Sequence, residues 1–443
     1  MAVSEAVSGS SFPFAHVFRA LRHRDFRLFF IGQGISLTGT WMQQVAMSWL
    51  VYRLTGSAFT LGAIAFAAQF PTFLLAPIAG VVADRYRRHR IVVTTQSLSL
   101  VEASIVAVLV LSGTVQVWHL IALSAVLGII NAFDIPARQS LFVKLVEGPD
   151  DLANAIALNS SMFNMARLTG PAIAGVLIGV VGEGPVFAIN AASYIAVLVS
   201  LFRMNAARAE RPERQSRALS HMREGFRYAF GFPPIRSILT LLALTSLLGM
   251  PYVVLLPVFA SDVLGGGPQT LGFLMSAAGL GALSGALYLA SRSSVRGLSR
   301  VIVAAITVFS IGLIAFSTSR SQPLSIALLL VTGFGMMVLT ASINTVLQTI
   351  VDEDKRGRVM SLYAMAFMGM APFGSLLAGT LASRIGAPTT VMLGGIACLG
   401  AAAWFYSRLP MIRDLVRPIY VRLGIIPEVA TGLQTATELR PKA

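Results

Sequence analysis

Three ionisable side chains stand inside stretches of sequence that are otherwise apolar. They are Glu102 in "LSLVEASIV", Asp134 in "NAFDIPARQS" and Arg167 in "ARLTGPAIAG". Burial and a nearby cation act on a carboxyl group in opposite directions, so such a group can take up and release a proton near neutral pH. Glu102 and Asp134 are therefore the candidate proton-coupling residues, with Arg167 as the candidate counter-charge. Arg138 follows Asp134 by one helical turn, a turn that Pro136 is expected to disturb. Pro171 has no N–H to give to the carbonyl four residues earlier, which is that of Arg167. A cation and a freed carbonyl on one residue are tolerable at membrane depth only when they face protein or water.

A second group of residues suits recognition. In "GQGISLTGTWMQQVAMSWL", Gln33, Thr40 and Gln44 recur at i, i+7 and i+11, which is one helical face, and Trp41 is beside it. Further along, Asn344 and Gln348 are one turn apart. Amides next to an aromatic ring suit an amphipathic organic molecule. The alternative is hydrogen-bond glue between helices, worth about 0.6–2 kcal/mol for each residue.

The elements that must position these side chains are membrane spans. The chain is 55% hydrophobic and only 12% charged, against about 25% charged in soluble domains. Apolar runs long enough to cross the ~30 Å hydrocarbon core fall at 27–52, 57–83, 91–112, 116–137, 154–180, 184–202, 236–260, 269–290, 300–318, 323–348, 357–382 and 387–407. Twelve transmembrane helices make this an all-α membrane protein. Residues 1–26 form a basic amphipathic N-terminal segment. Residues 27–203 form one six-helix bundle, 204–235 a polar basic linker, 236–408 a second six-helix bundle, and 409–443 a tail.

The net charge of +15 does not signal nucleic acid. If the N-terminus is cytoplasmic, every Lys and Arg except Arg53, Arg167, Arg320 and Arg384 falls on the cytoplasmic side. This is the positive-inside pattern; it places both termini in the cytoplasm, with anionic lipid as the counter-charge. The single cysteine, Cys398, can form no intramolecular disulfide.

The two bundles echo each other, as parallel six-helix repeats do. "SLTG" (36–39) matches "SLLG" (246–249), and "LTGSAFTLG" (54–62) matches "LGGGPQTLG" (264–272). Later, Gly170-Pro171 falls opposite Ala371-Pro372, with Gly175 close to the counterpart of Gly374. The two bundles are expected to be pseudo-symmetric and to work by alternating access about a midplane site.

At the end of span two, "GVVADRYRRHR" carries Gly80, Asp84, Arg85 and Arg88. A glycine there lets another helix approach closely. An acid at the membrane edge can accept from an arginine or from a helix N-terminus. The segment resembles the cytoplasmic loop motif of the major facilitator superfamily, although Arg87 stands where many members have glycine and the second half has no matching aspartate. Gly170, Pro171, Ala174 and Gly175 resemble the fifth-span motif of superfamily antiporters, which is associated with export. These glycines flatten one side of the helix for close packing against the other bundle. On this resemblance Gly80, Asp84, Arg85, Arg88, Arg138, Gly170, Pro171, Gly175 and Pro372 are the candidate gating residues.

Longer phrases narrow the resemblance. "FRLFFIGQGISLTGTWMQQVAMSWLVYRLTGS", "DIPARQS" and "NAIALNSSMFNMARLTGPAIAG" are similar to the enterobactin-exporter and transmembrane-secretion-effector branch. The resemblance implies proton-driven efflux, by a monomer in the cytoplasmic membrane of a bacterium, of a siderophore, drug or other small amphipathic compound. The energy source is the proton gradient, and no cofactor is expected. An uptake symporter or lipid transporter of the same fold is the alternative, and a non-transporting receptor or scaffold a more distant one.

Enzymatic readings find no support. "GLGALSG" lies inside a span and lacks a Lys-Ser/Thr partner, so it is no phosphate loop. His16, His23, His89, His119 and His221 are scattered, and they assemble neither a metal site nor a catalytic set.

Overall fold

The computed structural model describes residues 18–205, 226–292 and 294–425, with the Asp84 side chain left aside. Residues 1–17, 206–225 and 426–443, parts of the expected N-terminal segment (1–26), linker (204–235) and tail (409–443), lie outside the described residues. Twelve long helices follow one another: α1 (Arg24–Thr55), α2 (Ala58–Arg85), α3 (Arg88–Leu111), α4 (Val117–Phe142), α5 (Pro149–Val181), α6 (Glu183–Arg203), α7 (Pro233–Val263), α8 (Pro268–Ala290), α9 (Leu298–Thr318), α10 (Gln322–Ile350), α11 (Glu353–Ile385) and α12 (Ala387–Arg422). Eleven of them, α2 to α12, are long and apolar enough to cross a membrane. α1 is as long, at 32 residues, but its glutamines, serines and threonines dilute its apolar content.

The chain divides into two units. One comprises Met1–Leu54 and Ala67–Ser216; the other comprises Thr55–Phe66 and Arg217–Ala443. The first part of α2 thus belongs with the second unit. There Gly62 meets Gly379 of α11 without a Cβ on either side: a Cβ on Gly62 would lie 2.5 Å from the Ser375 carbonyl oxygen. Later in α2 the Thr72 hydroxyl donates to the Gly128 carbonyl of α4 at 2.8 Å, within the first unit.

Packing inside each unit depends on glycines at helix crossings. In the first unit, a Cβ on Gly32 or Gly39 would run into α6, at Ser200 and at Asn190 with Ser193. In the second, "GLGALSG" forms the packing face of α8. A Cβ on Gly281 would overlap the Leu330 carbonyl of α10, and one on Gly333 of α10 would overlap the Ala278 carbonyl of α8. Backbone cannot yield as a flexible side chain does. Gly281→Val should therefore lower stability by roughly 1–3 kcal/mol or more. Gly400→Ala, on a part of α12 where a Cβ meets nothing within 4 Å, should be neutral or slightly stabilising. Thermal unfolding in detergent, followed by size-exclusion chromatography, checks both.

Three features depart from the apolar pattern. The α12 helix runs on to Arg422, well past the expected end near 407. Leu409, Ile412, Val416 and Tyr420 are buried at spacings of 3, 4 and 4, an amphipathic stripe that continues the helix through Pro410 and Pro418. The described end of the N-terminal segment, where a surface helix was expected, is a 3-10 turn at Arg19–Arg22. Arg19 and His23 pair with Asp151 at the start of α5, His23 at 2.8 Å, and the Ala20 amide donates to the Asn154 side chain at 2.9 Å. The third departure is a set of π turns: Thr245–Gly249 and Phe259–Val263 in α7, and Met365–Gly369 in α11.

The α11 turn frees a carbonyl that must be satisfied. In a π turn the carbonyl of residue i is answered by the amide of i+5. For Phe367 that position is Pro372, which has no N–H. The fully buried Ser246 hydroxyl donates into the Phe367 carbonyl instead and ties α7 to α11. Just before the α11 span, burial and the neighbouring Asp352 carboxylate hold the Tyr228 hydroxyl above its usual pKa range, and Lys355 sits 4.7 Å over the Tyr228 ring.

Candidate functional site

Polar groups enter the first unit along one stripe of α3. Thr95, Gln96, Ser99 and Glu102 are all buried, at the i, i+3/i+4, i+7 spacing of a single helical face. In an apolar surrounding each of these groups must find a partner or carry a desolvation cost. The stripe serves two carboxylates, and they are treated differently.

Asp134 of α4 is 2% exposed and fully partnered. Its Oδ1 accepts from the Thr95 hydroxyl at 2.7 Å and from the Gln96 amide at 2.9 Å. Its Oδ2 accepts from Arg138 Nε at 2.9 Å. Pro136 does not disturb that turn as expected: α4 runs unbroken through it. Proline removes one backbone hydrogen bond and leaves the i,i+4 side-chain pair intact.

Glu102 is also 2% exposed, yet its carboxyl is half empty. Oε2 accepts one long bond, 3.5 Å, from the Gln43 amide of α1. Oε1 is buried with no hydrogen-bond partner. Behind Gln43 stands Asn190 of α6, whose amide nitrogen donates to the Gln43 carbonyl oxygen. Ser193 follows, with its hydroxyl 3.3 Å from Asn190 Oδ1 and 2.7 Å from the Asn190 backbone oxygen. Glu102, Gln43, Asn190 and Ser193 thus form one chain across α3, α1 and α6. Ala103, Ala191 and Tyr194, neighbours in sequence of Glu102, Asn190 and Ser193, form a small buried apolar cluster.

Arg167 is half-buried on α5 with its guanidinium carbon 5.9 Å from the centre of the Trp41 ring. The partners of Asp134 and Glu102 come from α3, α4 and α1 instead, and the cation of Arg167 rests near the ring of Trp41 on α1. Phe163 meets the same ring edge-on at 5.8 Å. Pro171 and Gly175 are buried. The close approach allowed by Gly170 is to α1 of its own unit rather than to the other bundle: a Cβ there would lie 2.6 Å from Trp41 Cβ and 3.1 Å from the Thr38 carbonyl. The second unit repeats the device, with Gly374 of α11, two residues after Pro372, against the Leu247 carbonyl of α7 at 2.5 Å.

The remaining candidates are spread out. Gln33 is 4% exposed and its Oε1 has no hydrogen-bond partner, whereas Thr40 and Gln44 are exposed. The three share a helical face but not an environment. Asn344 and Gln348 of α10 bond each other at 2.5 Å, and Tyr363 of α11 donates to the Thr340 carbonyl nearby at 3.4 Å. At the end of α2, the expected close helix approach at Gly80 is absent: among the described residues nothing comes within 4 Å of a Cβ built there. Arg85 is exposed and Arg88 half-buried; the Asp84 side chain lies outside the described residues. No group of three or more His, Cys, Asp or Glu among the described residues could hold a metal ion.

The sequence singled out Gln44 on α1, but the residue that touches Glu102 is its neighbour Gln43. Asn190 and Ser193 were also missed. A lone Asn in the apolar "AINAASY" run, and the polar stripe in "TTQSLSLVEAS", were the available signals.

Comparison with known proteins agrees with this architecture. The profile of a family described as transmembrane secretion effector matches residues 15–418. The Staphyloferrin A transporter of Staphylococcus aureus is 27% identical over 86% of this chain and 96% of its own length. The multidrug efflux pump Tap of Mycolicibacterium fortuitum is 26% identical over 87% of this chain and 93% of its own. Macrolide efflux protein A of Streptococcus pyogenes is 23% identical over 87% and 95%. Among solved structures, the nucleoside transporter NupG superposes with a TM-score of 0.67 at 13% identity, over 87% of this chain and 99% of that one. With its twelve long helices and with glycine-mediated crossings in both units, the chain is a membrane transporter of the transmembrane secretion effector family within the major facilitator superfamily.

Proposed function

We propose that this chain is a proton-coupled exporter that moves a small amphipathic organic molecule out of a bacterial cell by alternating access. In this reading it sits in the cytoplasmic membrane as a monomer, with both termini in the cytoplasm and the proton gradient as its energy source. One observation carries the coupling role: Glu102 is buried with an entire carboxylate oxygen unpartnered. That oxygen is an open position for a proton. Asp134 offers none, because three donors already occupy its oxygens. Export, rather than uptake, is supported by the Gly170-Pro171 motif and by relatives named as efflux pumps.

Everted membrane vesicles test the reading. With an acid interior, vesicles carrying the chain should accumulate radiolabelled erythromycin or staphyloferrin A, and nigericin should abolish the accumulation. Accumulation that survives nigericin, or that requires an alkaline interior, would contradict proton antiport. The latter result would favour the symport alternative.

A further inference from the structure

Arg167 and two aromatic rings meet where α5 crosses α1. Phe163 and Arg167 are four residues apart on α5, so their side chains leave one face of that helix. Both lie against Trp41 of α1. The guanidinium carbon is 5.9 Å from the centre of that ring, and Phe163 meets it edge-on at 5.8 Å. Gly170 sets the height of this meeting, because a Cβ there would lie 2.6 Å from Trp41 Cβ. The corner is not sealed. Phe163 is 44% exposed, Trp41 and Arg167 are half-buried, and Thr40 and Gln44, on either side of Trp41 along α1, are exposed.

The parts of this corner have separate uses. A cation inside a membrane span is costly unless it faces water, protein or an opposite charge. A guanidinium held near an aromatic ring still donates from its edge, and its five N–H groups can take a bidentate carboxylate in addition to other contacts. The exposed ring of Phe163 offers an apolar surface beside it. Four residues of helix rise about 6 Å, so a molecule that joins a flat ring directly to a carboxylate can reach both groups at once. A carboxylate brought to Arg167 meets its charge at a point where water is already partly excluded, and such bonds are the strong ones.

We propose that this corner of α1 and α5 is a subsite for an aromatic acid: Arg167 takes the carboxylate, Phe163 takes the ring, and Trp41 fixes the direction of the guanidinium. Thr40 and Gln44 border the site on the α1 side. Binding makes and breaks no covalent bond. The inference rests on the exporter reading for the direction of movement and adds to it the class of molecule carried.

The test measures equilibrium binding to the full chain in phosphatidylcholine nanodiscs, against empty discs, by scintillation proximity at pH 7.5. Three radiolabelled probes share one ring system: 2-naphthoate, neutral 2-naphthamide and cationic 2-naphthylmethylammonium. A charge-assisted bond predicts that naphthoate binds at least about tenfold tighter than naphthamide, with the ammonium weakest. Arg167→Gln should bring naphthoate down to the level of naphthamide while naphthamide binds as before. Arg167→Lys, a point charge without the fork, should keep only part of the preference. Phe163→Ala should weaken naphthoate and naphthamide alike and leave their ratio unchanged. An arginine that only held the helices together would shift both ligands equally, so the ratio is the readout. Four results would overturn the proposal: no saturable binding of naphthoate to the wild type, equal binding of naphthoate and naphthamide, tighter binding of the ammonium, as a cation box would give, or a ratio that survives Arg167→Gln. Should Arg167→Gln not fold, a wild-type ratio in Arg167→Lys overturns it in the same way. Binding needs no gradient, so this proposal and the exporter reading fail separately. If naphthoate shows no preference while everted vesicles with an acid interior accumulate erythromycin, the site is removed and the exporter reading stands. If the preference holds and the vesicles accumulate no compound, the exporter reading falls and the site stands.

Discussion

Glu102→Gln should eliminate uphill, gradient-driven efflux while leaving downhill exchange of the same compound across the membrane. The substitution keeps the size of the side chain and a group able to bond Gln43, so the α3–α1 contact is retained. What it removes is a buried carboxylate oxygen that has no hydrogen-bond partner and so stands open to a proton. An antiporter whose coupling carboxyl cannot be protonated and deprotonated becomes an exchanger. The expected effect is a fall of at least about a hundredfold in ΔpH-driven accumulation, of the order seen when a general acid–base group is removed, with counterflow within a few-fold of wild type. Transport assays in reconstituted vesicles, run with and without an imposed ΔpH, separate the two activities.

The second large effect concerns stability rather than coupling. Arg138→Ala should destabilise the first unit by about 3–5 kcal/mol, because it leaves Asp134, 2% exposed, as a buried carboxylate without its cation. Arg138 itself is partly exposed, with 24% of its side-chain surface accessible, so water can replace some of what is lost and the lower end of that range is expected. The double variant Asp134→Asn/Arg138→Ala should recover most of the loss. An amide at 134 still accepts from Thr95 and carries no charge to be neutralised. Thermal unfolding midpoints of the single and double variants in the same detergent decide the matter; equal losses in both would mean that the pair contributes nothing as a pair.

These two carboxylates also show what a sequence can and cannot reveal. Both were visible as acids in apolar runs, and both were ranked as candidates for the same task. The superfamily resemblance favoured Asp134, because span four lines the cavity there and span three is usually peripheral; the packing points to Glu102 instead. The separation comes from α3 and α1: Thr95 and Gln96 turn toward Asp134, and Gln43 alone reaches Glu102. Pairings across helices depend on rotation and register between neighbours, which hydropathy does not encode. The spans themselves were legible because a 30 Å hydrocarbon layer demands long apolar runs. Even there the pattern failed where a helix leaves the apolar regime. Residues 409–422 continue α12 on an amphipathic stripe, and α7 and α11 contain π turns that hydropathy does not foreshadow. Gly170 was legible as a close-packing glycine, but its neighbour, Trp41 of α1, was not.

Substrate-induced proton movement tests the central claim most directly. Proteoliposomes loaded with a pH-sensitive dye receive, without any imposed gradient, the compound that the vesicle assay shows to be accumulated. Wild type should move protons opposite to the compound, Asp134→Asn should retain that flux, and Glu102→Gln should show none while the compound still equilibrates. An undiminished proton flux in Glu102→Gln would contradict the account.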